Sequence, residues 1–331
     1  MTWLAQSRLV NGPFDDPGLY VDIRFGRRAL LFDLGDLGAL SSRELLRVTH
    51  AFVSHTHMDH FAGFDRLLRL LLHRPAPLRL VGPPGFVERV EHKLRAYTWN
   101  LLDEGSMDFS ISAAEFADGR FGRAAEFRAR EAFRPREAAA PARPPGIALD
   151  EEAFRIECVT LDHGTPCLAF ALRETRRVNV LKEGLAELGL PVGPWLNEAK
   201  RAVRQDRPDD TPVAVAPGRS VALGALKAQA LSTAPGQVLA YVVDAAYTDE
   251  NVARIVALAR DADQLYIEAA FLDEDAALAA EKRHLTAAQA GRIARLAGAR
   301  RFVPLHFSGR YVGREEALRA EAEAAFAGPE P

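Results

Sequence analysis

The sequence is poor in cysteine and has no long apolar run. Its 331 residues include only two cysteines, Cys158 and Cys167, which stand in "IECVTLDHGTPCLAF". We expect both to be buried, reduced strand residues rather than a disulfide or a pair of metal thiolates. No stretch has the roughly 20 apolar residues needed to span a bilayer, and the N-terminus does not resemble a signal peptide. We therefore expect a cytoplasmic protein.

The chain also lacks an excess of charge of either sign. Its 42 Lys and Arg residues and 45 Asp and Glu residues give a net charge of −3, so the field of the whole chain does not attract nucleic acid. A site for a polyanion would have to be a local patch. With 48% hydrophobic and 26% charged residues, the composition is that of a globular protein with a substantial core.

Apolar segments with strand and helix periodicity alternate along most of the chain. A hairpin is predicted over 18–37, a buried strand over 49–55 and an amphipathic helix within 86–102. The last third, 238–308, alternates strand, helix, strand, helix and strand. Such alternation predicts an α/β fold with helices layered around sheet.

Two segments interrupt this pattern. Residues 119–146 are rich in Arg, Ala and Pro, with seven arginines and three glutamates between 120 and 143. We interpret this Arg/Pro-rich segment as a solvated surface loop, with a functional basic patch as the alternative. Residues 173–215 contain Gly-Pro pairs, and eight Lys or Arg residues accompany five acidic ones between 173 and 207. We predict that this segment is an arm inserted into the domain.

The stretch "FVSHTHMDHFAGF" holds three of the nine histidines within six positions. His55 and His57 are two residues apart, so in an extended segment their side chains point the same way. Asp59 and His60 follow past a bend and can face a second point. Imidazole and carboxylate ligands suit zinc, and also manganese or iron. One stretch can therefore begin two adjacent metal sites, whose remaining ligands must come from elsewhere.

Three further residues of ligand type stand where apolar strands end. His163 follows "VTLD", Asp244 follows "LAYVV" and His306 follows "RFVPL". Loops at one edge of a sheet are where sites are commonly built. Together with the histidine-rich stretch, these residues predict a binuclear metal site.

The order of these residues resembles that of the metallo-β-lactamase superfamily. The similarity lies in the His-x-His-x-Asp-His run, a later His, a strand-end Asp and a final strand-end His, and it covers nearly the whole chain. The resemblance implies an αββα sandwich, two mixed sheets flanked by helices, formed as a single domain over 1–331. The ligand sets that it implies for two zinc ions are His55, His57 and His163 for one, Asp59, His60 and His306 for the other, and Asp244 as the bridge.

Two dications held side by side have a defined chemistry. They lower the pKa of a bridging water to near neutrality, and they hold both the nucleophile and the developing oxyanion. The superfamily cleaves lactams, thioesters, lactones and phosphodiesters, so the fold alone does not select a substrate.

Three segments resemble the ribonuclease Z (tRNA 3′-endonuclease) branch of the superfamily. Glu268 in "YIEAAFLDED" matches its His-Glu-Ala-Thr-like stretch, and His284 in "EKRHLTAAQAG" matches its Gly-His-Ser-Thr-like stretch. His306, Ser308 and Arg310 in "LHFSGRY" match its terminal His-Phe-Ser-Ser-Arg-Tyr. "LGLPVGPWLNEAK" is similar to the Gly-Pro-rich stretch of the arm by which that branch grips tRNA.

The resemblance implies cleavage of a tRNA precursor at its 3′ trailer. The leaving 3′-oxygen needs a proton, and His284 held by Glu268 is a suitable general acid. Ser308 and Arg310 are expected to bind substrate phosphate, since an arginine can pair with phosphate through two hydrogen bonds. Asp59 is expected to serve catalysis as well as metal binding. RNA is the expected partner, and a homodimer is inferred from the family.

The surroundings of the predicted site depart from the family pattern. Met58 replaces the usual Gly in the histidine-rich stretch, "VVDAAY" replaces Gly-Asp-Thr around the bridging aspartate, and Leu285 replaces Ser beside the general acid. The alternative is therefore a hydrolase of the same fold that acts on a small ester, thioester or cyclic phosphodiester. A third reading, a metal-binding protein without catalysis, is disfavoured by the predicted acid pair.

Overall fold

The computed structural model describes residues 3–24 and 26–328. The ends of the predicted domain, residues 1–2 and 329–331, lie outside the described residues, as does Phe25 of the predicted hairpin. The first strands are β1 (Ala5–Leu9), β2 (Leu19–Ile23), β3 (Arg28–Phe32), β4 (Val48–Phe52), β5 (Leu78–Gly82), β6 (Ser110–Ala117), β7 (Arg120–Arg128), β8 (Pro135–Ala138) and β9 (Ile147–Asp150). The later strands are β10 (Phe154–Asp162), β11 (Pro166–Glu174), β12 (Arg177–Val180), β13 (Pro212–Ala216), β14 (Arg219–Ala222), β15 (Leu231–Ala234), β16 (Val238–Val242), β17 (Gln264–Glu268) and β18 (Phe302–Leu305).

The helices lie between these strands and at the end of the chain. They are α1 (Ser42–Leu45), α2 (Met58–Phe61), α3 (Phe64–Leu71), α4 (Phe86–Arg95), α5 (Lys182–Glu187), α6 (Trp195–Arg204), α7 (Leu223–Gln229), α8 (Asp249–Leu258), α9 (Ala276–Lys282), α10 (Ala287–Leu296) and α11 (Glu315–Ala327). Short 3₁₀ turns occupy Ala129–Glu131, Asp273–Asp275 and Gly309–Tyr311. Within the described ranges, no helix is both long and apolar enough to cross a membrane.

One sheet has eight strands that lie in chain order, from β1 to β8. The predicted hairpin is confirmed, since β2 and β3 pair antiparallel with Leu19 opposite Phe32. Strands β3, β4, β5 and β6 run parallel to one another. Phe32 lies opposite Phe52, so the loops that follow β3 and β4 emerge side by side at one edge of the sheet.

The second sheet has six strands in the order β18, β17, β16, β11, β10, β9. Strands β16, β17 and β18 are parallel, with Glu268 opposite Leu305. Their carboxyl ends therefore meet at one edge. These ends carry Glu268 and lead directly into Asp244 and His306, as the alternation in the last third of the sequence predicts.

The two sheets face each other through aromatic side chains. Phe32 and Phe52 of the first sheet contact Phe170 of β11, with ring centroids 5.5 and 5.6 Å apart. Because strand side chains alternate between faces, Leu31 and Ala51 point the other way, into the apolar cluster that contains α3 and α4. Helices α8 and α10 cover the second sheet in the same manner. This αββα arrangement confirms the predicted fold class.

Leu149–Arg155 and Leu172–Gln237 form a second compact unit. It contains the antiparallel pairs β12 with β15 and β13 with β14, together with α5, α6 and α7. Its own apolar cluster has members from Val178 to Leu231. The segment predicted as an arm, 173–215, lies within this unit, which continues to Gln237.

The prediction of a surface loop over 119–146 is wrong for most of that segment. Arg120–Arg128 forms β7, and Pro135–Ala138 forms β8 at the edge of the first sheet. Phe127 of β7 is buried, whereas all four residues of β8 are exposed. Charged side chains are common on exposed sheet edges, where they discourage pairing with other chains. Only 139–145 is irregular and exposed throughout.

Candidate metal centre and active site

The histidine-rich stretch leaves β4 and turns into the short helix α2. His55 lies in the loop after β4, and His57 caps the N-terminus of α2. Leu34 N–H donates to the carbonyl of His60 at 2.9 Å, and Gly63 N–H donates to the carbonyl of Leu34 at 2.8 Å. A Cβ at Gly63 would lie 2.1 Å from a backbone oxygen, so only glycine allows this approach. These contacts fix the stretch against the loop that follows β3.

The carboxylate of Asp244 lies at the centre of the histidines. Its Oδ2 is 3.3 Å from Nε2 of His163 and 3.5 Å from Nε2 of His55. Its Oδ1 is 3.0 Å from Nδ1 of His306 and 3.5 Å from Nε2 of His60. Each oxygen therefore faces a different pair of histidines, an arrangement that suits a carboxylate shared between two neighbouring cations.

The predicted ligands fall into groups whose donor atoms lie within 4.8 Å of one another. The groups are His55, His57, His163 and Asp244; Asp59, His60 and His306; and Asp244, Glu268, His284 and His306. The first two groups, with Asp244 between them, have the composition of the two predicted ligand sets. Metal binding by each residue stays a prediction.

Several of these donor atoms are buried and make no hydrogen bond of acceptable geometry with any described residue, even where another donor atom lies close by. They are Nε2 of His55, Nε2 of His60, Oδ1 of Asp244 and Nδ1 of His306. Buried polar atoms are nearly always hydrogen-bonded, because an unpaired one loses the solvation of water without compensation. Here the unpaired atoms are nitrogens and a carboxylate oxygen that converge on one volume. This donor set fits divalent metal ions.

Two of the central ligands, His55 and Asp244, are in forms that suit a metal. Burial, together with the neighbouring His60, lowers the pKa of His55 to about 2, so its ring is neutral. Burial opposes ionisation of Asp244, but His306 and His60 hold the pKa of its carboxyl well below the usual range. Neutral imidazole and ionised carboxylate are the forms that coordinate metal. Burial opposes protonation of His60 and His306, but the carboxylates beside them raise the pKa values of both rings.

A buried aspartate that the sequence analysis missed supports the ligands from behind. Asp33 is fully buried and its Oδ2 lies 2.9 Å from Nδ1 of His60. It also accepts hydrogen bonds from Ser54 N–H at 2.6 Å, Ser54 Oγ at 2.9 Å and the Tyr241 hydroxyl at 3.1 Å. Because Nδ1 of His60 faces Asp33, its Nε2 is left to face Asp244. Asp33 directly follows β3, so the strand-end signal that identified Asp244 was present here too.

His284 and Glu268, predicted as an acid pair, are in contact. Nδ1 of His284 lies 2.8 Å from Oε2 of Glu268. Glu268 is fully buried, and its Oε1 accepts a hydrogen bond from Ala245 N–H at 2.6 Å. Burial lowers the pKa of His284, but Glu268 outweighs it and raises this pKa above its ordinary value. Glu268 thus orients the ring and favours its protonated form.

A cavity of about 440 Å³ opens over the ligands. The predicted site residues that line it are His57, Asp59, His163, His284, His306 and Ser308. Arg310 is not among its lining residues; its side chain is half exposed, and Nη1 lies 3.6 Å from Asp275. Met58 is 83% exposed and also does not line the cavity. Lining residues that the sequence analysis did not identify include Phe14, Asp15, Asp16, Phe271 and Lys282.

We predict that Asp33→Asn lowers zinc affinity by about 10–100-fold, because a ligand loses the charged partner that orients it. Asparagine tolerates the left-handed backbone of Asp33, whose φ is 60°, so the change tests the charge rather than the fold. Competition with a chelator measures the affinity. Asp36→Asn is the matched control, since the Asp36 side chain is exposed and accepts a hydrogen bond from Gly38 N–H. Equal affinity in both variants would contradict the role of Asp33.

No family model matches the sequence, but individual proteins do. The chain is 34% identical over 330 residues to the ribonuclease Z of Deinococcus radiodurans, covering 98% of this chain and 96% of that one. It is 32% identical over 317 residues to the ribonuclease Z of Thermobifida fusca, covering 92% and 83%.

Solved structures resemble the chain in fold. The metallo-β-lactamase fold protein YhfI of Bacillus subtilis matches with a TM-score of 0.55 at 17% identity, over 97% of this chain and 93% of that one. The short form of human tRNase Z matches with a TM-score of 0.51 at 17% identity, over 92% and 93%. The fold, the gathered ligands and the extended identity lead to one conclusion: the chain belongs to the ribonuclease Z family of metal-dependent hydrolases with the metallo-β-lactamase fold.

Proposed function

We propose that this protein is a zinc-dependent endoribonuclease that removes the 3′ trailer from tRNA precursors. The observation that carries the proposal is the contact of His284 with Glu268 beside the predicted metal ligands, at 2.8 Å. In the cleavage of RNA the 3′-oxygen is a poor leaving group unless it is protonated, and this pair can supply the proton. The name that the relatives share supports RNA as the substrate.

Two zinc ions are proposed as the metals. The residues that would hold them are His55, His57 and His163 on one side, Asp59, His60 and His306 on the other, and Asp244 between. A set of five imidazoles and two carboxylates favours zinc over magnesium or calcium. The chemistry that two such ions supply when bound is activation of water as the nucleophile and neutralisation of charge on the phosphate.

Asp59 is proposed to act in catalysis as well as in metal binding. Its carboxylate lines the cavity, with Oδ2 3.2 Å from Nε2 of His306. Burial raises the pKa of Asp59, but His306 and His60 hold it well below the usual range. An ionised carboxylate on the cavity wall can accept a hydrogen bond from the attacking water and orient it.

His284 is the proposed general acid. Its Nδ1 is held by Glu268, so the proton on Nε2 is the one available to a substrate in the cavity that His284 lines. Transfer of this proton to the 3′-oxygen turns a poor leaving group into a neutral hydroxyl. Glu268 keeps the ring oriented and stabilises its protonated form.

Ser308 and Arg310 are proposed to bind substrate phosphates at different distances from the cleaved bond. Ser308 lines the cavity, and its hydroxyl can donate to a phosphate oxygen. Arg310 pairs with Asp275 only at 3.6 Å and is half exposed, so its guanidinium can exchange that partner for a phosphate outside the cavity.

The second unit, Leu149–Arg155 with Leu172–Gln237, is proposed as the RNA-binding arm of a single domain. Between 173 and 207 it carries eight Lys or Arg residues against five acidic ones, and local positive charge attracts the phosphate backbone. A homodimer and a cytoplasmic location belong to the same proposal. Both cysteines are free and buried, which suits a reducing compartment.

One observation favours the alternative, a hydrolase of a small ester, thioester or cyclic phosphodiester. The cavity lining includes Asp15 and Asp16 beyond the predicted ligands, and Lys282 is the one lysine or arginine among the described residues that line it. Carboxylates that line the cavity repel a polyanion, whereas they have little effect on the binding of a small substrate with little charge. Kinetics on both substrate types therefore decide between the two functions.

We predict that His284→Ala slows cleavage of a tRNA precursor by about 10²–10⁴-fold, the usual contribution of general acid catalysis. The loss should be much smaller for a nitrophenyl phosphodiester, whose leaving group needs no proton. Glu268→Gln should show a weaker form of the same pattern. Single-turnover rates on both substrates, with zinc content measured in parallel, provide the comparison.

His92→Ala is the matched control for this prediction. His92 is also a histidine near a glutamate, with Nε2 3.9 Å from Glu88, but its side chain is 65% exposed on α4. It should leave both rates unchanged. If His284→Ala slowed both substrates alike, His284 would position the substrate instead of delivering a proton.

We predict that deleting residues 178–233 of the second unit weakens cleavage of RNA and spares hydrolysis of a small substrate. Arg177 lies opposite Ala234 in the antiparallel pair of β12 and β15, so an Asn-Gly turn can replace 178–233. This deletion removes the unit's apolar cluster whole, from Val178 to Leu231. We expect KM for the tRNA precursor to rise about 10-fold or more, as expected for lost phosphate contacts. Equal loss of nitrophenyl phosphodiester hydrolysis would mean that the segment belongs to the catalytic core.

A further inference from the structure

The residue before the proposed general acid has an unusual backbone conformation. Arg283 has a φ of 60° and ends α9 in the left-handed region. Helices often end in this way, but the residue is then usually glycine, because a Cβ crowds the neighbouring carbonyl. An arginine in this position must be held there by other contacts.

Arg283 makes two contacts with the strand-end turn that contains His163. Its carbonyl lies 2.8 Å from Nδ1 of His163, so it accepts a hydrogen bond from that nitrogen. Its guanidinium donates from Nη1 to both carboxylate oxygens of Asp162, at 3.0 and 3.2 Å. Two adjacent pairs of residues, Asp162 with His163 and Arg283 with His284, are thereby joined.

Asp162 is itself held in place before it meets the arginine. Its Oδ1 accepts a hydrogen bond from Gly164 N–H at 2.7 Å, and its own N–H donates to Asn251 at 3.0 Å. The arginine side chain passes directly over Gly164, where an added Cβ would lie 3.0 Å from Cδ of Arg283. The turn therefore presents a fixed carboxylate and leaves room for the arginine.

We propose that the Asp162–Arg283 ion pair holds residue 283 in its left-handed conformation and thereby positions both His163 and His284. With the pair formed, the carbonyl of Arg283 fixes His163 with Nε2 toward Asp244, at 3.3 Å. The same backbone aims the next residue at the cavity. Both members of the pair are about half exposed, so the pair contributes little to overall stability. Its effect is local, on one backbone conformation.

The ion pair and the backbone strain that it opposes can be removed by different substitutions. Arg283→Ala keeps the strain and loses the pair, whereas Arg283→Gly loses both, because glycine adopts the left-handed region freely. Asp162→Asn removes the charge but keeps an oxygen for Gly164 N–H. The inference rests on the proposed function only for the roles of His163 and His284.

The test measures zinc affinity by chelator competition in the full chain, with wild-type protein, Arg283→Ala, Arg283→Gly, Asp162→Asn and Asp162→Asn combined with Arg283→Gly. We expect Arg283→Ala and Asp162→Asn to weaken zinc binding about 10-fold, a typical effect of disturbing the partner of a ligand. Arg283→Gly should stay within about 3-fold of wild type, and adding Asp162→Asn to it should have no further effect. Arg300→Ala, which removes an exposed arginine from its pair with the largely buried Asp263 at 3.0 Å, is the control and should leave zinc affinity unchanged.

A kinetic readout reports on His284 in the same proteins. Arg283→Ala and Asp162→Asn should lower kcat for a tRNA precursor more than kcat for a nitrophenyl phosphodiester, with Arg283→Gly restoring the ratio. The proposal would be overturned if Arg283→Ala bound zinc as tightly as the wild-type protein. It would also be overturned if Asp162→Asn weakened zinc binding equally in the wild-type and the Arg283→Gly proteins. If the wild-type protein binds zinc but cleaves no RNA, the proposed function fails while the zinc affinities still decide this inference.

Discussion

The rest of the site depends on one buried carboxylate, that of Asp244. It is 2% exposed, and each of its oxygens faces two imidazole nitrogens. A buried ionised carboxylate is stable only with positive charge close by. Several of the surrounding donor atoms have no hydrogen-bond partner in the described part of the chain, and a cation among them would supply both a partner and positive charge. The geometry thus fits a metal before any reaction is considered.

The sandwich serves to hold this carboxylate and its partners in register. Parallel β16, β17 and β18 deliver Asp244, Glu268 and His306 to one sheet edge, and β3 with β4 delivers Asp33 and His55. Three of the nine described residues other than glycine that have a left-handed conformation lie at this site: Asp33, Arg283 and His306. Such strain persists only where surrounding contacts over-determine the backbone, and here those contacts also orient the ligands.

The sequence predicted the features whose signals are local. The apolar and β-branched run in "GLYVDIRFG" and the alternation after residue 238 predicted the right strands and helices. Ligand types at strand ends identified the residues that cluster. The Arg-rich β7 and β8 were missed because runs of arginine, alanine and proline are also typical of surface loops. The contact of His163 with the carbonyl of Arg283, 120 residues away, has no local signal at all. Asp33 had the same signal as Asp244 and was overlooked.

The most direct test of this account is the zinc content of Asp244→Ala, determined by elemental analysis beside the wild-type protein. We expect two zinc ions per wild-type chain and, in the variant, loss of zinc together with loss of phosphodiester hydrolysis. A folded Asp244→Ala protein that still carries two zinc ions would contradict it, because the carboxylate at the centre of the site would then not be a ligand.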